Sequence, residues 1–143
     1  MGDLKYFLKG NKKERKTTMY AATKSLCDDK GNPVEWEIKA VSTEEYNKIM
    51  DSCTYEVQIP GKPNLFRPRV DSRKLVAKMI AASVVFPNLN DTQLQNAYGV
   101  VTPEDLVVAM VDNPREYNDF SNFVQSYSGF DVDINAKVEE AKN

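Results

Sequence analysis

Apolar positions alternate along several stretches of the first half of this chain and fall at helical spacing through most of the second. Val34, Trp36, Ile38 and Ala40 alternate with Glu35, Glu37 and Lys39, the period of a half-buried strand. Thr17 to Leu26 reads as a partner strand whose alternation is blurred by small residues. The segment CDDKGNP between them clusters turn formers, so the two make a β-hairpin. Tyr55, Val57 and Ile59 alternate again, PGKPN forms a hairpin tip, and Leu65 to Val70 is its return arm. Pro68 confines that arm to a sheet edge, because it offers no N–H to a second neighbour.

The helical pattern begins between the two hairpins. Ser42 and Glu45 have capping-box spacing, and Tyr46, Ile49, Met50 and Cys53 follow as one apolar stripe. The longest signal starts at Asp71, whose carboxylate can accept from the free N–H groups of a first helical turn. Leu75, Val76, Met79 and Ile80 lead a helix expected over about 72–86, and from Met79 to Phe86 only Ser83 is polar. A helix apolar on every side must be covered on every side. At about fifteen residues it falls short of the roughly 20 needed to cross a bilayer, so it predicts the central core helix of a soluble domain. Pro87 stops it. Asn90 with Gln93 predicts the start of a shorter helix carrying Leu94, Ala97 and Tyr98, closed by Gly99.

Thr102 and Pro103 begin a further helix with the stripe Leu106, Val107, Met110 and Val111, and Asn113 and Pro114 repeat that start signal. The next helix carries a wide aromatic face, Tyr117, Phe120, Phe123, Val124 and Tyr127, and ends at Gly129. Beyond it, Asp133 could cap a last helix lined by Ile134, Val138 and Ala141. At the other end, Asp3 to Leu8 predicts a short helix. Residues 9–16 are expected as a mobile basic linker, and residues from about 131 to 143 as a mobile C-terminal arm. The fold expected is α+β, with N-terminal antiparallel β-hairpins packed on a C-terminal helical cluster built around the helix at about 72–86. Trp36, Ile49, Met79, Ile80 and Phe86 are the expected core.

Composition adds constraints rather than direction. With 143 residues, 41% hydrophobic and 28% charged, the chain fits one globular domain. A net charge of −2 provides no global attraction to nucleic acid or an anionic membrane. Residues 1–18 hold six basic side chains against two acids, yet lack the interleaved aromatics of a nucleic-acid surface. The N-terminus has no long apolar stretch of the signal-peptide kind, so a cytoplasmic location with Cys27 and Cys53 reduced is expected.

The chain has no histidine, which removes the His-dependent nucleophile systems and His-containing zinc sites. Its six glycines are too scattered for a phosphate-binding loop or a dinucleotide fingerprint. Glu44 and Glu45 read as first-turn helix acids rather than an acid/base pair. Asp131 and Asp133 lack the longer oxygen series of a calcium loop. No cofactor, metal or catalytic residue is expected. The aromatic residues of the last strong helix have two readings, as core or as a face for a partner.

The runs GNPVEWEIKAVSTEEYNKIMDSC and LVAKMIAASVVFPNLNDTQLQNAYGV, followed by PREYND and the ending VEEAKN, resemble the XkdN-like phage tail assembly chaperones. The resemblance runs in order from about Lys5 to the C-terminus and rests on its length, since none of these runs is a catalytic signature. It implies a non-catalytic protein that binds the tape-measure protein, with tail tube subunits as a second partner and self-association as a further option. The alternatives are a structural component retained in the tail and a small nucleic-acid-binding accessory protein. Candidate partner-binding residues are Tyr117, Phe120 and Phe123 on the aromatic face, and Phe130, Val132, Ile134 and Val138 in the terminal segment.

Overall fold

The computed structural model describes residues 2–130. It is α+β, with two small antiparallel sheets and five α-helices. Strands β1 (Thr18–Tyr20) and β2 (Trp36–Ile38) pair antiparallel with Tyr20 opposite Trp36. The alternation read from Val34 to Ala40 is observed, since Trp36 and Ile38 are buried and Glu37 between them is not. β1 is shorter than the expected strand over 17–26. The chain leaves the sheet at Ala21, and Asp28 to Asn32 forms the turn.

Helix α1 (Thr43–Cys53) begins with the capping box: the Glu45 N–H donates to Ser42 Oγ at 3.1 Å, and the Ser42 N–H donates to Glu45 Oε1 at 3.3 Å. The second hairpin follows, β3 (Thr54–Ile59) and β4 (Lys62–Val70), joined at Pro60–Gly61. Gly61 has φ +76°, as the second central residue of a Pro-Gly type II turn requires. This hairpin makes a sheet of its own, and every residue of β4 is exposed.

Helix α2 (Ser72–Ser83) starts at Asp71, which accepts from the Lys74 N–H at 3.2 Å. It ends three residues before the position expected. Val84–Phe86 forms β5, which pairs antiparallel with β2 and completes a sheet of order β1-β2-β5. Two valines and a phenylalanine favour a strand wherever a sheet edge is open to them. Ser83, the single polar residue of the apolar run, sits at the change of structure. Its hydroxyl donates to the Ile80 carbonyl, and its own carbonyl accepts from the Lys39 N–H at 2.7 Å. Phe86 is therefore not a core residue: it ends an edge strand and is 64% exposed. Ile49 is half-buried rather than buried.

Helix α3 (Thr92–Ala97) is capped by Asp91, not by Asn90, with the Leu94 N–H donating to the Asp91 carboxylate at 2.9 Å. Gly99 ends this turn at φ +69°, the left-handed conformation expected of it. Helices α4 (Pro103–Met110) and α5 (Pro114–Ser128) start at Thr102 and Asn113, each with proline in the first turn. The expected helix at Asp3 to Leu8 is a 3₁₀ turn, Leu4–Phe7, and all of it is exposed.

The core has two parts. The main one joins Trp36 and Ile38 of the sheet to Ile80 of α2, Leu106 and Val107 of α4, and Phe120 and Val124 of α5. The smaller one joins Cys53 of α1 to Leu75 and Met79 of α2. Helix α2 supplies both parts and packs on α1, α4, α5 and β5, which is why apolar residues spread around it beyond its exposed first turn.

Candidate partner-binding surface

The aromatic face of α5 meets the sheet. Phe120 is 0% exposed and packs edge-on against Trp36, with ring centroids 5.5 Å apart. Tyr20 of β1 stacks on Phe123 at 4.2 Å and on Phe120 at 5.3 Å. Phe123 in turn stacks on Tyr127 at 5.9 Å. The Tyr127 hydroxyl donates to the Lys16 carbonyl, and Arg15 donates to the Tyr127 carbonyl at 3.0 Å. These rings form a continuous intramolecular stack that joins β1 and β2 to α5. Phe120 is thus core and presents nothing to a partner, and Phe123 is half-covered by its neighbours. The basic stretch expected as a linker is exposed along residues 9–16 and touches α5 through Arg15 and Lys16.

Phe130 is half-buried, edge-on to Tyr46 of α1 at 5.2 Å. Val132, Ile134 and Val138 lie outside the described residues, as does the helix expected after Asp133. Phe130 also lines a concavity, with Val41, Tyr46 and Ser128, and Tyr117 opens onto another. It lines a groove of about 450 Å³ between the N-terminal half of α2, the C-terminal end of α4 and the start of α5. Val76, Val108, Val111 and Pro114 make the groove mainly apolar, and Arg73 and Asp112 add one charge of each sign. Burial raises the Tyr117 phenol above its ordinary pKa, so it stays neutral.

Sequence reading missed the groove, although it contains one signal. In Leu106-Val107-Val108 the first two side chains are fully buried and Val108 is 50% exposed. Val108 is an apolar residue off the buried stripe. The groove offers shape, apolar contact and a neutral hydroxyl. Its size suits one or two large side chains of a partner.

The chain matches the family described as Phage XkdN-like tail assembly chaperone protein over residues 4–142. This protein belongs to the XkdN-like tail assembly chaperones. Relatives of this chaperone include the phage-like element PBSX protein XkdN of Bacillus subtilis strain 168, 25% identical over 99% of this chain and 94% of that protein. The protein YqbN of the same strain is 26% identical over 99% of this chain and 93% of its own length. The crystal structure of YqbN has the same fold, with a TM-score of 0.74 and 21% identity over 92% of this chain and 99% of that one. The chaperone role of the family is not enzymatic. No helix among the described residues is long and apolar enough to cross a membrane.

Proposed function

We propose that this chaperone binds an apolar helical stretch of the tape-measure protein of its phage and keeps it soluble until the tail tube closes around it. A long chain with an apolar stripe aggregates unless something covers that stripe. The observation that carries the reading is the groove between α2, α4 and α5, where Val76, Val108 and Tyr117 offer apolar surface to a helix laid across them. The role is non-catalytic and belongs to the host cytoplasm, with tail tube subunits as a second partner. Phe130, Val132, Ile134 and Val138 are proposed as a further contact with the same partner, on the strength of their apolar character.

Co-expression tests this. With the chaperone present, the tape-measure protein should be soluble and co-purify with it, and purified virions should lack the chaperone. Val108→Asp places a charge in the groove at an exposed position. It should weaken co-purification while leaving the thermal midpoint unchanged. Ile134→Asp with Val138→Asp should also weaken it. A tape-measure protein equally soluble alone, or no complex with it, would sink the reading.

A further inference from the structure

The β3–β4 hairpin is anchored at one end and open elsewhere. Its base is tied to the helices where the Asp71 N–H donates to the Cys53 carbonyl at 2.9 Å, between the end of α1 and the start of α2. Beyond that base the strands form a sheet of two, marginal by itself in water; Val57 and Ile59 are half-buried and the other strand residues are exposed.

Its register sorts the side chains into two faces. Tyr55 lies opposite Arg69 and Val57 opposite Arg67 on one face, which Leu65 continues by alternation along β4; the register then shifts, and Ile59 pairs with Lys62 at the tip. The other face takes Thr54, Glu56, Gln58, Phe66, Pro68 and Val70. The first face therefore holds three apolar side chains, Tyr55, Val57 and Leu65, and two guanidinium groups, and no acid. Tyr55 is 48% exposed and Leu65 51%. Neither Arg67 nor Arg69 forms an ion pair with another described residue.

We propose that this face is a docking surface for a helix of a partner protein that carries Asp or Glu beside its apolar stripe. The apolar stripe would cover Tyr55, Val57 and Leu65, and the carboxylates would take the forks of Arg67 and Arg69. Arginine and tyrosine are the residue types that interfaces favour. Charge decides between occupants. A second copy of the same face would bring like charges together. Strand addition along β4 is disfavoured because Pro68 offers no N–H to a new neighbour. Nucleic acid would require more stacking rings than Tyr55 alone. Only the identification of the partner as the tape-measure protein rests on the chaperone reading above; the chemistry of the face does not.

The test uses the full chain and two synthetic helical peptides with one leucine stripe, flanked by Glu in one and by Lys in the other. Fluorescence anisotropy should show the Glu peptide binding at least about tenfold more tightly, with the difference shrinking as salt rises. Arg67→Glu with Arg69→Glu should reverse the preference at an unchanged thermal midpoint, and Leu65→Asp should weaken both peptides. Equal binding of the two peptides, or a preference that survives the charge reversal, would overturn the proposal. So would dimerisation or DNA retention abolished by the same variants without any peptide preference. If the parent binds both peptides equally and the tape-measure protein still co-purifies, the hairpin proposal fails and the chaperone reading stands. If the parent binds the Glu peptide but no tape-measure protein, the reverse holds.

Discussion

Glu116 in the first turn of α5 accepts the Thr23 hydroxyl on Oε1, at 2.8 Å and across 93 positions of sequence. Its Oε2 accepts the Lys24 N–H at 2.8 Å. One carboxylate thus fixes the segment that leaves β1 against the start of α5, and Thr23 is buried in the process. The Lys24 amide and the Thr23 hydroxyl both favour the ionised form, so the Glu116 pKa lies below the ordinary carboxylate range. A pKa lower in the folded chain than in the unfolded one gives stability that is complete above the unfolded value, about 4.3. That stability disappears as pH falls through the folded value. Glu116→Gln should therefore lower the urea midpoint at pH 7, and the gap to the parent should narrow at pH 3. A gap of equal size at both pH values would show that charge plays no part in this contact.

Met79 and Phe86 separate the central helix from the strand that follows it. Met79 is buried between α1 and α2, so Met79→Ala should cost about 2–5 kcal/mol. Phe86→Ala, at the exposed end of β5, should cost less than about 1 kcal/mol, the span of strand preference. Urea unfolding of the two variants checks the contrast. Similar losses would mean that residues 84–86 belong to the core after all.

The helix starts were legible because they are local. Ser42, Asp71, Thr102 and Asn113 each accept from an N–H within three residues, and that chemistry is written in the sequence beside them. The run from Met79 to Phe86 was not legible in the same way. Its residues satisfy a buried helix and a strand equally well, and what ends the helix is β2, whose Lys39 neighbour takes the Ser83 carbonyl some 40 positions away. Both hairpins were visible from alternation and turn residues. Nothing in alternation tells which hairpin will be covered, and only the first is buried at its centre. The groove depends on where α2, α4 and α5 diverge, so of its lining only Tyr117 is among the partner-binding residues expected from sequence.

Ser128 caps a different junction. Its hydroxyl accepts the Val41 N–H at 2.9 Å in a buried setting, holding the chain ahead of α1 against the end of α5. Ser128→Ala removes the acceptor and leaves a buried N–H without a partner, a change costing about 1–3 kcal/mol. Ser126→Ala, at an exposed position two residues earlier, should cost almost nothing. Faster exchange of the Val41 amide in Ser128→Ala alone would locate the effect at this bond.

Phe120 and Val108 distinguish a core residue from a contact residue on neighbouring helices. Phe120 is enclosed by Trp36 and Tyr20, and truncating a fully buried phenylalanine costs about 3–5 kcal/mol. Domains of this size have only about 5–15 kcal/mol of stability in all. Phe120→Ala should therefore shift the unfolding midpoint far down, and any loss of partner binding should follow from loss of fold. Lowering the temperature should restore both together. Val108→Asp should do the opposite, with an unchanged midpoint and weakened partner binding at every temperature. The pair is read by thermal unfolding beside co-purification of the tape-measure protein. A Phe120→Ala protein that keeps its midpoint but loses its partner would return the aromatic face of α5 to the binding surface. It would also require the stack from Trp36 to Tyr127 to open when the partner arrives.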